Sequence, residues 1–205
     1  MALKIDSIFP PPDERDEPYS NADILTELDN LGIIVKSIKF YSANVAAASY
    51  DQPITSVDLS SSIVLRLGGS LSLSAGSAKF RDVHHSLQFV TASSVRMTKG
   101  LNNSALYYSF AVLEFEPKFI KRITYGSIPM SNSTSATVTF PAVDTTKTLL
   151  IYNGSSNNVA TEDIDNLMFI ETRIALTNST TVTCYKNTAN ATYTTTTLFT
   201  MVEFN

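Results

Sequence analysis

The chain has 205 residues, with 19 acidic and 15 basic side chains, a net charge of −4 and a pI of about 5.1. It therefore presents no global basic field to a phosphate backbone, and nucleic-acid binding is disfavoured. Charged residues are only 17%, below the usual quarter, and Ser, Thr and Asn carry the polarity, which suits β-sheet surfaces and surfaces buried in an assembly. The single Cys184 excludes an intrachain disulfide, and no apolar run approaches the roughly 18 residues of a membrane helix.

Residues 1–32 read as an arm followed by one short helix. Met1-Ala2-Leu3-Lys4 opens no long apolar stretch, so the expectation is no secretory signal and synthesis in a cytoplasm. Phe9-Pro10-Pro11-Pro12 forces an extended, polyproline-like path, and Asp13 to Pro18 is charged and aperiodic. Ile5, Ile8, Phe9, Pro10, Pro11 and Tyr19 are the candidate partner-binding residues, the anchors by which such an arm orders against a neighbouring subunit. A helix is predicted over 20–31. Ser20 or Asn21 caps it, Asp23 sits in its first turn, Ile24, Leu25, Leu28 and Leu31 share one face, and Gly32 stops it.

From Ile33 onward the pattern is strands. Ile33-Ile34-Val35 leads into Ile38 and Phe40. Ile63 to Leu67 is apolar, and Gly68-Gly69 predicts a turn. Leu87 and Phe89, then Val95 and Met97, keep a period of two, and Leu106 to Phe115 is a long aromatic strand. Glu116-Pro117-Lys118 marks a boundary, after which the plan recurs. Ala136 to Phe140 alternates, Leu149 to Tyr152 is apolar, Asn153-Gly154 predicts a turn, and Ile174, Leu176, Val182 and Cys184 alternate before Tyr193 to Phe204 closes the chain.

The recurrence extends to residues. Val35-Lys36-Ser37-Ile38-Lys39-Phe40 returns as Ile120-Lys121-Arg122-Ile123-Thr124-Tyr125. Val57-Asp58 returns as Val143-Asp144, Gly68 as Gly154, Lys99 as Lys186, and Val112-Leu113-Glu114-Phe115 as Met201-Val202-Glu203-Phe204. The offset grows slowly from 85 to 89, as small loop insertions between strands produce. The fold class expected is all-β: two tandem, similar antiparallel β-sandwich domains of jelly-roll or Ig-like kind, at 33–117 and 118–205, behind the arm and helix of 1–32.

Little in the chain suggests chemistry. His84-His85 would point to opposite faces of a strand and reads as a loop pair without a metal. No Gly-x-Ser-x-Gly nucleophile elbow occurs. Glu162-Asp163-Ile164-Asp165 lacks the glycine of a calcium loop. Asp58 and Asp144 fit Asx turns, Glu114 and Glu203 are expected to face away from the core, and Cys184 reads as a small apolar strand residue. Tyr107, Tyr108, Tyr125, Tyr152, Tyr185 and Tyr193 could stack on a sugar, but core aromatics use the same residues. No catalytic residue, cofactor or metal ligand is assigned, and an enzyme is not expected.

One ordered series carries a resemblance. It runs through Ile123 to Ile128, Ser135 to Thr139, Ala142 to Thr148, Arg173 to Thr183 and Val202-Glu203-Phe204. This resembles a β-sandwich module recurrent in structural proteins of tailed-bacteriophage virions, over residues 119–205 and more weakly over 33–115. The module often carries Gly where this chain has Thr124 or Ser127. The resemblance implies a virion component assembled in the host cytoplasm, whose partners are other virion proteins, the major capsid protein or tail components. A capsid decoration or cement protein is the expected role, acting as a homo-oligomer, with a trimer the expected form. The alternative is a tail-tip, fibre or head-fibre protein that binds a host glycan or receptor.

Overall fold

The structure is a computed structural model, and the residues it describes are 34–71, 84–100, 105–157, 172–187 and 194–205. The arm with Ile5, Ile8, Phe9, Pro10, Pro11 and Tyr19, the helix over 20–31, the carboxylates Glu162, Asp163 and Asp165, and Tyr193 lie outside them.

The protein is all-β. Its strands are β1 (Val35–Val45), β2 (Ser49–Pro53), β3 (Ser62–Leu71), β4 (His85–Thr91), β5 (Ser94–Lys99), β6 (Leu106–Phe115), β7 (Ile120–Met130), β8 (Ser135–Thr139), β9 (Thr148–Asn157), β10 (Thr172–Asn178), β11 (Thr181–Lys186) and β12 (Thr195–Phe204). A 3-10 turn at Pro117–Phe119 separates β6 from β7, where Glu116-Pro117-Lys118 predicts a boundary. Among the described residues every pairing is antiparallel, in three sheets ordered β1-β6-β3, β10-β11-β8 and β2-β5-β4-β9-β12-β7.

The first six strands match the last six one for one. Val35 and Ile120, Ser49 and Ser135, Ser62 and Thr148, His85 and Thr172, Ser94 and Thr181, and Leu106 and Thr195 open equivalent strands of equal length. Their offsets of 85, 86, 86, 87, 87 and 89 are those of the sequence recurrence. The pairings match as well. The trio β1-β6-β3 answers to β7-β12-β9, and β2-β5-β4 answers to β8-β11-β10.

Small devices repeat with the strands. Asp58 Oδ1 accepts the Ser60 N–H at 2.8 Å, and Asp144 Oδ1 accepts the Thr146 N–H at 2.9 Å, the two Asx turns expected. The Val57 N–H reaches Ala92 O at 3.0 Å, and the Val143 N–H reaches Ser179 O at 2.8 Å. The glycine pairs, however, end no strand. Gly68 (φ 145°) and Gly154 (φ 96°) lie inside β3 and β9, where each strand inserts one residue more than its partner. These are matched β-bulges, and the positive φ that suggests a turn serves to kink a continuing strand.

Each half encloses its own apolar layer. Val45, Val64, Leu87, Val95, Met97, Leu106, Tyr108, Phe110 and Val112 fill the first, between β1-β6-β3 and β2-β5-β4. Ile128, Met130, Val182, Cys184 and Phe199 fill the second. One exchange keeps the volumes in balance. Tyr41 stacks on Phe110 across β1 and β6 with ring centroids 5.2 Å apart, whereas its equivalent Gly126 lies under the ring of Phe199, the equivalent of Phe110. A third cluster holds Ile63, Phe115 and Val202, packed with Val35, Leu65, Leu113, Ile120, Ile123, Ile151 and Phe204. It joins the halves, and residues Val35–Asn205 form one compact unit.

The closing Glu-Phe pairs anchor this weld. Phe115 and Phe204 meet edge to face at 6.1 Å. Glu114 pairs with Lys36 at 2.9 Å, and Glu203 pairs with Lys121 at 2.9 Å and Arg122 at 2.8 Å. Glu203, expected to face away from the core, is nevertheless withheld from solvent. It is 1% exposed, because Val202 beside it faces the shared cluster while its carboxylate is clasped by the two cations and the Asp144 N–H. Burial raises its carboxyl pKa, but these three donors more than offset that and hold it below the ordinary 4.5. Its contribution is therefore complete above pH 4.5 and is lost as pH falls through the lower folded value. Glu203→Gln should cost about 1–3 kcal/mol near pH 7, and that deficit should shrink below pH 4. Urea unfolding at pH 7 and pH 3.5 checks this, and an equal deficit at both would contradict it.

Candidate functional site

A cavity of about 580 Å³ opens where the two halves meet. The first half supplies Arg66 from β3 and His84 and His85 from the start of β4. The second supplies Thr134 and Ser135 at β8, Tyr152 and Ser155 on β9, Thr172 and Arg173 on β10, and Tyr185, Lys186 and Asn187 at the end of β11. Among the described lining residues, every charged one is basic.

The joint between the halves creates this wall. Ser86 on β4 pairs with Gly154 on β9, which fuses the two trios into the six-stranded sheet. A Cβ at Gly154 would fall on the His85 carbonyl oxygen, so only glycine lets the strands approach this closely. The equivalent Gly68 has nothing within 4 Å of its Cβ position. His85 is thereby fixed on β4 and fully buried, not part of a loop, its ring 5.9 Å from that of Tyr108. Arg66 Nε donates to His85 Nε2 at 3.3 Å. Since an arginine N–H can only donate, His85 accepts through Nε2, as the neutral ring protonated on Nδ1.

On the opposite wall the hydroxyls form a chain. Tyr152 Oη donates to Ser155 Oγ at 3.1 Å and lies 3.3 Å from Thr172 Oγ1, which is 2.9 Å from Thr197 Oγ1. Cys184 Sγ donates to Thr197 at 3.3 Å from the buried end. Burial pushes the Cys184 thiol up, and its hydrogen bonds only partly reverse this, so it stays protonated and packs in the second core. The Arg173 guanidinium lies 4.3 Å from the centroid of the Tyr185 ring. Lys186 Nζ donates to Ser131 O at 2.6 Å, and burial lowers its pKa. Arg66 is likewise shifted down by burial.

The tyrosines grouped in the sequence separate in space. Tyr152 and Tyr185 line the cavity. Tyr108 is buried, with burial raising its hydroxyl to about 12, Tyr107 stays exposed, and Tyr125 reaches the carbonyls of Leu59 (3.1 Å) and Ser62 across the joint. Among the described residues no group of three or more His, Cys, Asp or Glu is placed to hold a metal ion, and no helix is long and apolar enough to cross a membrane. Sequence reasoning misses Arg66, Arg173 and Lys186, which lie far apart in the chain. The signal that marks the place is a failure of the repeat: Arg66 and His85 stand where the second half has Tyr152 and Thr172.

Comparison of the chain with known protein families, with curated proteins and with solved structures finds no match.

Gly154→Ala combines a strained positive φ with a collision against His85, so it should lose about 1–3 kcal/mol. Gly68→Ala carries the φ penalty without the collision and should lose less. Thermal unfolding of the two variants decides, and equal losses would contradict the role of Gly154 at the joint.

Proposed function

We propose that this protein is a structural component of a tailed-bacteriophage virion, a capsid decoration or cement protein built from two tandem β-sandwiches. The observation that carries the reading is the strand-for-strand duplication. The residues the halves share are Asx-turn aspartates, bulge glycines, core side chains and the closing Glu-Phe, so the repeated part of the chain specifies fold and surface. The sheet β1-β6-β3 also keeps large apolar side chains in solvent: Ile38 50%, Phe40 73%, Leu67 54% and Tyr107 49% exposed. Exposed apolar groups on a lightly charged sheet suit packing across subunit seams. Its partners are then other virion proteins, and many weak contacts of this kind sum through multivalency.

The cavity favours the second reading, a fibre or tail-tip protein that holds a host glycan. Copy number separates the two. Decoration predicts a stoichiometry close to that of the capsid protein and binding of the purified chain to undecorated particles. Phe40→Glu should weaken that binding at least tenfold while leaving the melting temperature within about 1 °C, because Phe40 is solvated in the isolated chain. A chain that adsorbs to host cells and leaves capsids untouched would overturn the decoration reading.

A further inference from the structure

We infer that the cavity between the halves is a binding site for an acidic saccharide, a sugar unit bearing a carboxylate or sulfate. The inference stands on the cavity alone and does not depend on a capsid location.

The first argument is uncompensated charge. Four cations elsewhere in the protein pair with carboxylates: Lys36 with Glu114, Arg96 with Asp51, and Lys121 and Arg122 with Glu203. The three cations of the cavity do not. Arg66 donates to a histidine, Arg173 lies over a tyrosine ring, and Lys186 donates to a backbone carbonyl. Among the described residues that line it, none is acidic. Lys186 is buried and Arg66 half-buried, and that burial shifts both downward. Desolvated positive charge without a counter-charge is unfavourable, and an entering oxyanion would repair it through charge-assisted hydrogen bonds.

The second argument is what lies beside the charge. Thr134, Ser135, Tyr152, Ser155, Thr172 and Tyr185 bring hydroxyls to the same walls. Hydroxyls both donate and accept, which suits the hydroxyls of a sugar ring, whereas a bare inorganic anion only accepts. A volume of about 580 Å³ suits a sugar unit rather than a single small ion, since small-molecule sites span roughly 300–1,000 Å³.

The third argument is the broken repeat. Lys186 has its counterpart in Lys99, but Arg66 and His85 are replaced by Tyr152 and Thr172 in the second half, and Arg173 stands where the first half has Ser86. The basic character is therefore not a property of the module. It arises only where the first half's β3–β4 corner faces the second half's β9 and β10.

Isothermal titration of the full chain tests the site, using galacturonic acid, glucuronic acid, N-acetylneuraminic acid and a sulfated galactose, with galactose and sodium sulfate as controls at matched ionic strength. At least one acidic sugar should bind measurably, with the neutral sugar and sulfate at least tenfold weaker. Binding of the free sugar acid and of an oligosaccharide ending in it distinguishes a soluble metabolite from a polymer-borne residue. Arg173→Ala should cut the affinity at least tenfold. Arg173 is solvent-exposed, so the variant should melt within about 2 °C of the parent. Arg66→Met serves as a second variant. Failure of every acidic sugar to bind at 10 mM would overturn the proposal, as would equal binding of galactose. Unchanged affinity in both variants would also overturn it. Sulfate binding as tight as the sugar acid would overturn the saccharide assignment.

Discussion

No side chain fits at residue 154. The His85 carbonyl occupies the space where a Cβ would stand, and Ser86 pairs with Gly154 across the same gap. This close approach lets strands from the two halves share one six-stranded sheet. Much else follows from it. The faces behind the joint bury Ile63, Phe115 and Val202 together, Tyr125 reaches across to the Ser62 and Leu59 carbonyls, and the β3–β4 corner of one half comes to face β9 and β10 of the other. A half of about 85 residues has a small core for its surface, and a third apolar layer between the halves offsets that shortage.

Equivalent residues take on different work once the halves are joined. Ile63 is buried at the joint, while its counterpart Leu149 is 48% exposed, and Ile123 packs into the shared cluster, while Ile38 is 50% exposed. Gly154 receives a neighbouring strand, whereas Gly68 faces open space. The duplication therefore supplies two similar bodies, and the asymmetric joint gives each a distinct surface. The cavity belongs to that asymmetry.

Much of the fold is legible in the sequence because strand signals are local. Period-two alternation marks β5, β8 and β11, and the growing offset between repeats locates equivalent strands to the residue. The Asx turns are legible for the same reason, since Asp58 and Asp144 act on residues two positions on. Glycine is ambiguous: a positive φ ends a strand in one setting and bulges it in another, and only the partner strand decides, so Gly68 and Gly154 read as turns. The burial of Glu203 is hidden because its partners Lys121 and Arg122 lie some 80 residues away. His85 looks like a loop residue because nothing local reveals that β9 will close over it. The cavity is illegible in the same way, since Arg66, His85, Arg173 and Lys186 are gathered by the joint between halves.

The central claim is that two equivalent halves are welded into a single cooperative unit by the β4–β9 joint and the shared cluster. Native-state hydrogen exchange measures this most directly, because it reports the opening free energy of each strand separately. The account predicts that the slowest amides of β6 in the first half and β12 in the second exchange with the same free energy, equal to that of global unfolding. Two separate plateaus, one for each half, would contradict it.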